Sequence, residues 1–151
     1  MTTRVNTLAH MDKLKPLIAY STAAQQGIDP AITRLVEIRA SQINGCAVCL
    51  AMHTQEARKA GESEERIYLL DAFRESELYD DRERAALEWT EALTRLETGG
   101  ASYETYANLK AHFTDDEQVK LTLLIGAINA FNRLNVGFRV SPHVLKDAKA
   151  A

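Results

Sequence analysis

Helix-start signals recur ahead of apolar stripes along nearly the whole chain, and this pattern more than any other restricts what the sequence can fold into. Asp29 precedes Pro30, Ser63 precedes Glu64, Asp80 stands three residues before Glu83, Ser102 precedes Tyr103, and Thr114 stands three residues before Glu117. A short polar side chain at such a position accepts a hydrogen bond from the free N–H groups of the first turn, and a Glu three residues on returns the bond to the cap. Proline at the first helical position sacrifices no hydrogen bond. Behind these starts the apolar residues return every three or four positions, as Ile32, Leu35, Val36, Ala40 and Ile43 do, and again Ala86, Trp89, Leu93 and Leu96. Leu14, Leu17, Ile18 and Ala23 form an earlier stripe that stops at Gly27; Asn44-Gly45, Gly61 and Gly99-Gly100 supply further stops. No stretch keeps the period-two alternation of a half-buried strand. The sequence thus predicts a single all-α domain of six or seven helices over residues 1–151. Its most apolar helix, from Val119 to about Leu134, is expected to be buried nearly all round.

Charge and hydropathy exclude several classes of function. Twenty-one acids against 18 Lys and Arg give a net charge of -3, without the basic surplus that a nucleic-acid backbone calls for. The longest apolar stretch, Leu121 to Phe131, is interrupted by Thr122 and Asn129 and is shorter than the roughly 18 to 20 residues of a membrane span. The opening MTTRVNTLAHMDKLK has no apolar segment of the secretory type. A cytoplasmic protein without nucleic-acid or membrane partners is the expectation. Trp89 and the tyrosines read as core packing, and His10, His112 and His143 as residues without a special role.

The chemistry concentrates in one segment. The only two cysteines, Cys46 and Cys49, stand three apart, a coincidence of roughly one in a hundred for random placement in this length. On a helix running from about Cys46 to Gly61, the two thiols share a face with His53. A thiol becomes reactive as its thiolate, which a helix N-terminus or a nearby base favours. Cys46 has the first of these advantages and Cys49, four residues before His53, has the second, so the residues alone leave open which sulfur attacks. A second thiol can capture an oxidised first one as a disulfide before irreversible oxidation. Two other readings compete: a redox sensor that forms the disulfide without useful turnover, and a structural metal site, for which CxxC and His supply only three ligands.

The segment ASQINGCAVCLAMHTQEARKAG, with the later INAFNRL and the ERAALEWTEALT helix, resembles the carboxymuconolactone decarboxylase and alkylhydroperoxidase AhpD superfamily from about Asp29 to Arg139. The cysteine pair followed by histidine is similar to the AhpD-like peroxidase branch and disfavours lactone decarboxylation. The resemblance implies an AhpD-like helical bundle assembling into homo-oligomers, trimers or hexamers, that needs no cofactor. It also implies hydroperoxide reduction with Cys49 as the peroxidatic thiol, Cys46 as the resolving thiol and His53 in a proton relay. The reductant it implies is a thiol or a lipoyl-bearing protein. One departure stands out: the family's relay glutamate falls twelve residues before the first cysteine, at Arg34 here, while Glu37 lies one turn later. On a helical wheel Arg34 points away from the stripe of Ile32, Val36 and Ile43, and Glu37 flanks it. Glu37 is therefore the expected relay acid, against the alternative of a solvated Arg34/Glu37 pair.

Overall fold

A computed structural model describes residues 2–96 and 100–143, and every regular element among them is helical. A short 3-10 turn at Thr7–His10 leads into α1 (Met11–Gln25). There follow α2 (Pro30–Ile43), α3 (Ala47–Lys59) and α4 (Glu64–Leu69), the last continuing into a 3-10 segment at Leu70–Glu75. The chain ends with α5 (Asp81–Arg95), α6 (Tyr103–His112) and α7 (Asp115–Gly137). The starts follow the cap chemistry. Asp29 accepts from Ala31 N, Ser63 from Arg66 N and Ser102 from Thr105 N, while Asp80 with Glu83 and Thr114 with Glu117 form complete capping boxes.

Helix α2 is the axis of the bundle, packed by α3, α5 and α7 and by the 3-10 segment. One side of it, Ile32 and Val36, joins Ala24, Ile28, Leu121 and Leu124 in a core between α1, α5 and α7. The other side, Leu35 and Ile38, joins Ala57, Leu70, Phe73 and Leu87 in a second core under α3 and α4. A helix covered on both sides cannot send its polar residues to water. Arg39, 3% exposed, donates from Nε (2.8 Å) and Nη2 (2.5 Å) to Glu91 Oε1 on α5 and also pairs with Asp71. Burial alone would raise the Glu91 pKa, but Arg39 and Arg74 hold it below the ordinary carboxylate range.

Several expectations need correction. Helix α5 closes one turn early, on Leu96 in the left-handed conformation (φ 44°), and not at Gly99-Gly100; Gly99 lies outside the described residues. Ala92 O accepts the Leu96 N–H at 3.0 Å, so this bond and the preceding helix register hold a conformation that glycine would adopt more readily. Helix α7 is not buried all round: Val119 is 60% and Leu123 40% exposed. Its inward face already fills the core with Leu121, Leu124, Ile125 and Ile128, and the described residues leave part of its outward face open. Of the tyrosines only Tyr79 is a core residue, whereas Tyr68 and Tyr103 stand in solvent. Trp89 is half-buried, its Nε1 donating to Thr122 Oγ1 at 3.0 Å.

Removing one partner from a buried ion pair leaves the other charge without compensation, so Glu91→Ala should lower the unfolding free energy by about 3 kcal/mol. Urea melts that place the variant within about 0.5 kcal/mol of the wild type would show that Asp71 alone suffices for Arg39.

Candidate active site

The turn that ends α2 places the cysteines. Gly45 takes a positive φ of 65°, which reverses the chain, and Cys46 N then donates to Ser41 O at 3.0 Å. Cys46 becomes the N-cap residue of α3 without using its side chain as a cap, and Cys49 follows on the first turn. Their Cα atoms are 5.3 Å apart and the sulfurs are joined in a disulfide, so the structure describes the oxidised form. Both residues are 1% exposed.

Helix α7 holds this turn with three asparagines spaced three residues apart. Asn44 Nδ2 donates to Asn129 Oδ1 at 3.0 Å and to Asn132 Oδ1 at 2.9 Å. Asn132, fully buried, donates to Ser41 Oγ at 3.1 Å, and Ser41 Oγ donates to Glu37 O at 2.7 Å. Asn135 Nδ2 lies 3.3 Å from Cys49 Sγ as its donor. Reading the sequence by stripes missed Asn135. The available signal was Asn129, Asn132 and Asn135 on one side of an otherwise apolar helix, since buried amides require partners.

Cys49 opens onto a cavity of about 300 Å³ whose polar lining includes Gln25, Glu37, His53, Glu56 and Asn135, with Met52, Ile128 and Phe131 as apolar walls. Cys49, His53 and Glu37, brought from two helices, thus meet at one site; Cys46 is not among the lining residues of this cavity. Glu37 is 5% exposed. Gln25 Nε2 donates to its Oε1 at 2.8 Å, and its Oε2 lies 3.3 Å from His53 Nδ1. Glu56 Oε2 approaches the same nitrogen at 3.2 Å. A carboxylate only accepts, so these neighbours favour the tautomer with hydrogen on Nδ1 and leave Nε2 as the basic nitrogen. Burial raises the Glu37 pKa above its ordinary value, against the lowering influence of His53, the Gln25 hydrogen bond and the Arg34 charge. Arg34 itself is half-buried, lies outside the cavity lining and makes no ion pair with Glu37, so the solvated-pair alternative does not describe this carboxylate.

The metal alternative has little to work with. The cysteines are bonded to each other, and among the described residues no group of three or more His, Cys, Asp or Glu side chains is arranged to hold a metal ion.

A carboxyl whose pKa is raised by folding favours the folded state while protonated, and that contribution disappears as pH rises through the raised value. Glu37→Gln abolishes this titration. The stability of the variant relative to wild type should therefore increase as pH rises from the ordinary Glu range near 4.5 toward neutrality. Parallel urea melts at several pH values check this, and a gap that stays constant across the window would show that burial leaves Glu37 unperturbed.

Residues 12–92 match the carboxymuconolactone decarboxylase family. The uncharacterized protein YdfG of Bacillus subtilis is 41% identical over 112 residues, 74% of this chain and 76% of that protein. A crystal structure from Agrobacterium tumefaciens, of a protein of unknown function proposed to be an antioxidant defence protein AhpD, superposes with a TM-score of 0.89 at 42% identity. The superposition covers 93% of this chain and 97% of that one. An uncharacterized peroxidase-related protein from Ralstonia eutropha, with an alkylhydroperoxidase AhpD core, shares the fold with a TM-score of 0.78 at 19% identity, over 90% of this chain and 74% of that one.

Proposed function

Since the chain belongs to the carboxymuconolactone decarboxylase family, we propose that it is an AhpD-like thiol peroxidase that reduces hydroperoxides through its cysteine pair. The observation that carries this reading is the convergence of Cys49, His53 and the buried Glu37 on one cavity, with Cys46 already bonded to Cys49 behind it. In the reduced protein, His53 Nε2 serves as the base for the Cys49 thiol. The thiolate attacks the terminal oxygen of ROOH, the O–O bond breaks, and ROH leaves with the proton returned from His53. Cys49 is now a sulfenic acid. The Cys46 thiol attacks its sulfur, hydroxide leaves as water with the Cys46 proton, and the disulfide seen here results. Two electrons from a thiol or lipoyl-protein reductant restore both thiols. Glu37 acts through His53 as a positioning residue, holding the ring and favouring its protonated form during the transfer.

The exposed apolar side chains of α7, Val119 and Leu123, support a homo-oligomer, since closed association would cover apolar surface that the described residues leave open. Light scattering should return a multiple of the chain mass, a trimer or hexamer, and the monomer mass at micromolar concentration would remove this part of the reading. A reducing cytoplasm suits a disulfide that must be recycled at each turnover.

Peroxide added to the reduced wild type should consume both thiols. Cys46→Ser should stop at a trappable sulfenic acid on Cys49, and Cys49→Ser should be inert; the reverse outcome exchanges the two roles. General acid–base assistance contributes roughly a hundredfold or more, so His53→Ala should lose about that much in peroxide reactivity. Glu37→Gln should lose less and shift the pH profile of the reaction, a change that a purely structural role would not produce. Oxidation that occurs once, without multiple turnovers on any thiol donor, would mark a redox sensor and not a peroxidase.

A further inference from the structure

The two cysteines of the disulfide line different cavities. Cys49 lines the one described above. Cys46 lines a second, of about 530 Å³, formed by the start of α3 and by the chain that follows α7 through Arg139, Val140 and His143. Among the described residues, Asn135 is the one common to both linings. The electrostatics of the two differ as well. The Cys49 cavity contains two carboxyl groups, Glu37 and Glu56, together with His53. Among the described residues, the lining of the Cys46 cavity includes Arg139 and His143 and no acidic side chain. The N-terminus of α3, beginning at Ala47, adds its positive end beside Cys46. The opposing influence is the negative end of α7, and Arg4 occupies part of it: its backbone N–H donates to Phe138 O at 2.8 Å and its Nη1 to Gly137 O at 3.1 Å.

We propose that the Cys46 cavity is the entry site of the reductant, a thiolate on an apolar arm, and that oxidant and reductant therefore reach the disulfide from different cavities. The inference rests on the peroxidase reading only for the identity of the oxidant. Thiol–disulfide exchange requires the attacking thiolate to approach in line with the S–S bond, from the side away from the sulfur that leaves. For reduction to begin there, a thiolate in the Cys46 cavity has to meet Cys46 Sγ in that sense and displace Cys49. One in the Cys49 cavity would approach past Glu56 and Glu37, which when ionised repel an anion but not a neutral hydroperoxide. The products differ too. When Cys46 is attacked, the S–S bond breaks, a bond forms between Cys46 and the reductant sulfur, and the electron pair departs on Cys49. That thiolate is born beside the Asn135 Nδ2 donor at 3.3 Å and in the cavity of His53, which can protonate it. The second thiol of a dithiol reductant, once deprotonated, then attacks the reductant sulfur and expels Cys46 as thiolate. Two thiols of the reductant have become a disulfide and the two electrons have passed to the protein. Val140 packs against the cysteine pair, and Val48, Val136 and Pro142 complete apolar walls suited to the body of such an arm. Val140 is therefore the side chain that an incoming sulfur must displace.

The test uses the oxidised full-length protein and needs no peroxide, so its outcome is independent of whether the chain proves to be a peroxidase. Reaction with 2-mercaptoethanol followed by acid quench and fragmentation mass spectrometry should place the adduct on Cys46; an adduct on Cys49 would overturn the proposal. The rate of reduction by dithiothreitol should fall about three- to tenfold in Arg139→Glu at low salt, as expected for reversing a charge near the path of an anion. Val140→Trp should slow the same reaction by filling the cavity, and Val140→Ala should accelerate it. Met52→Trp, which fills the Cys49 cavity instead, should slow the reaction less than Val140→Trp does. If Met52→Trp slows reduction while the Arg139 and Val140 variants do not change it, the reductant enters through the Cys49 cavity. Arg139 is exposed, so its variant remains informative even if Val140→Trp fails to fold.

Discussion

Covering α2 on both sides is the constraint on which the rest of the structure depends. Apolar residues at 32, 36, 35 and 38 divide between two cores, and the polar residues between them have no route to water. An unmatched polar group in such a place costs more than a hydrogen bond returns, so most of them are met from a neighbouring helix, Thr33 Oγ1 and Arg34 Nε being the exceptions. Glu91 of α5 meets Arg39, Asn132 of α7 meets Ser41, and Gln25 of α1 with His53 of α3 meets Glu37. The bundle is held in register by these polar contacts as much as by its apolar area. Its reactive site is built from one of them.

The same logic explains why the cysteines lie where they do. The turn through Gly45 is fixed from α7 by the asparagines that bind Asn44 and Ser41, and Cys46 is tied back to α2 through its own backbone N–H. The disulfide thus spans the junction of three helices. Cys49 lines the cavity that holds Glu37 and Glu56, and Cys46 lines the one that holds Arg139 and His143. A pair of thiols on an isolated helix would present both sulfurs to the same surroundings. Packing against α7 gives each cysteine its own set of neighbours.

Local chemistry made much of this legible. Cap residues and apolar period located the helices because a helix start is satisfied by its own neighbours in sequence, as at Asp80 with Glu83 and Thr114 with Glu117. The closure of α5 on Leu96 escaped that reading, since a left-handed residue without glycine is sustained by backbone bonding that composition does not display. The exposed side of α7 escaped it as well, because an apolar sequence specifies a preference for burial without specifying how many faces a single chain can cover.

At the site the division is equally physical. The sequence by itself determined that Cys49 and His53 share a helix face, and that Glu37 rather than Arg34 flanks the buried side of α2, because these relations follow from 3.6 residues per turn; Cys46, expected on the same face, is instead the N-cap and lines another cavity. It could not decide which groups from other helices would reach them. Asn135 as donor to Cys49, Gln25 on Glu37, and the separation of the two cysteines into different cavities all arise between residues far apart in the chain. Such contacts depend on how helices cross and what fills the space between them, and only the tertiary packing sets that.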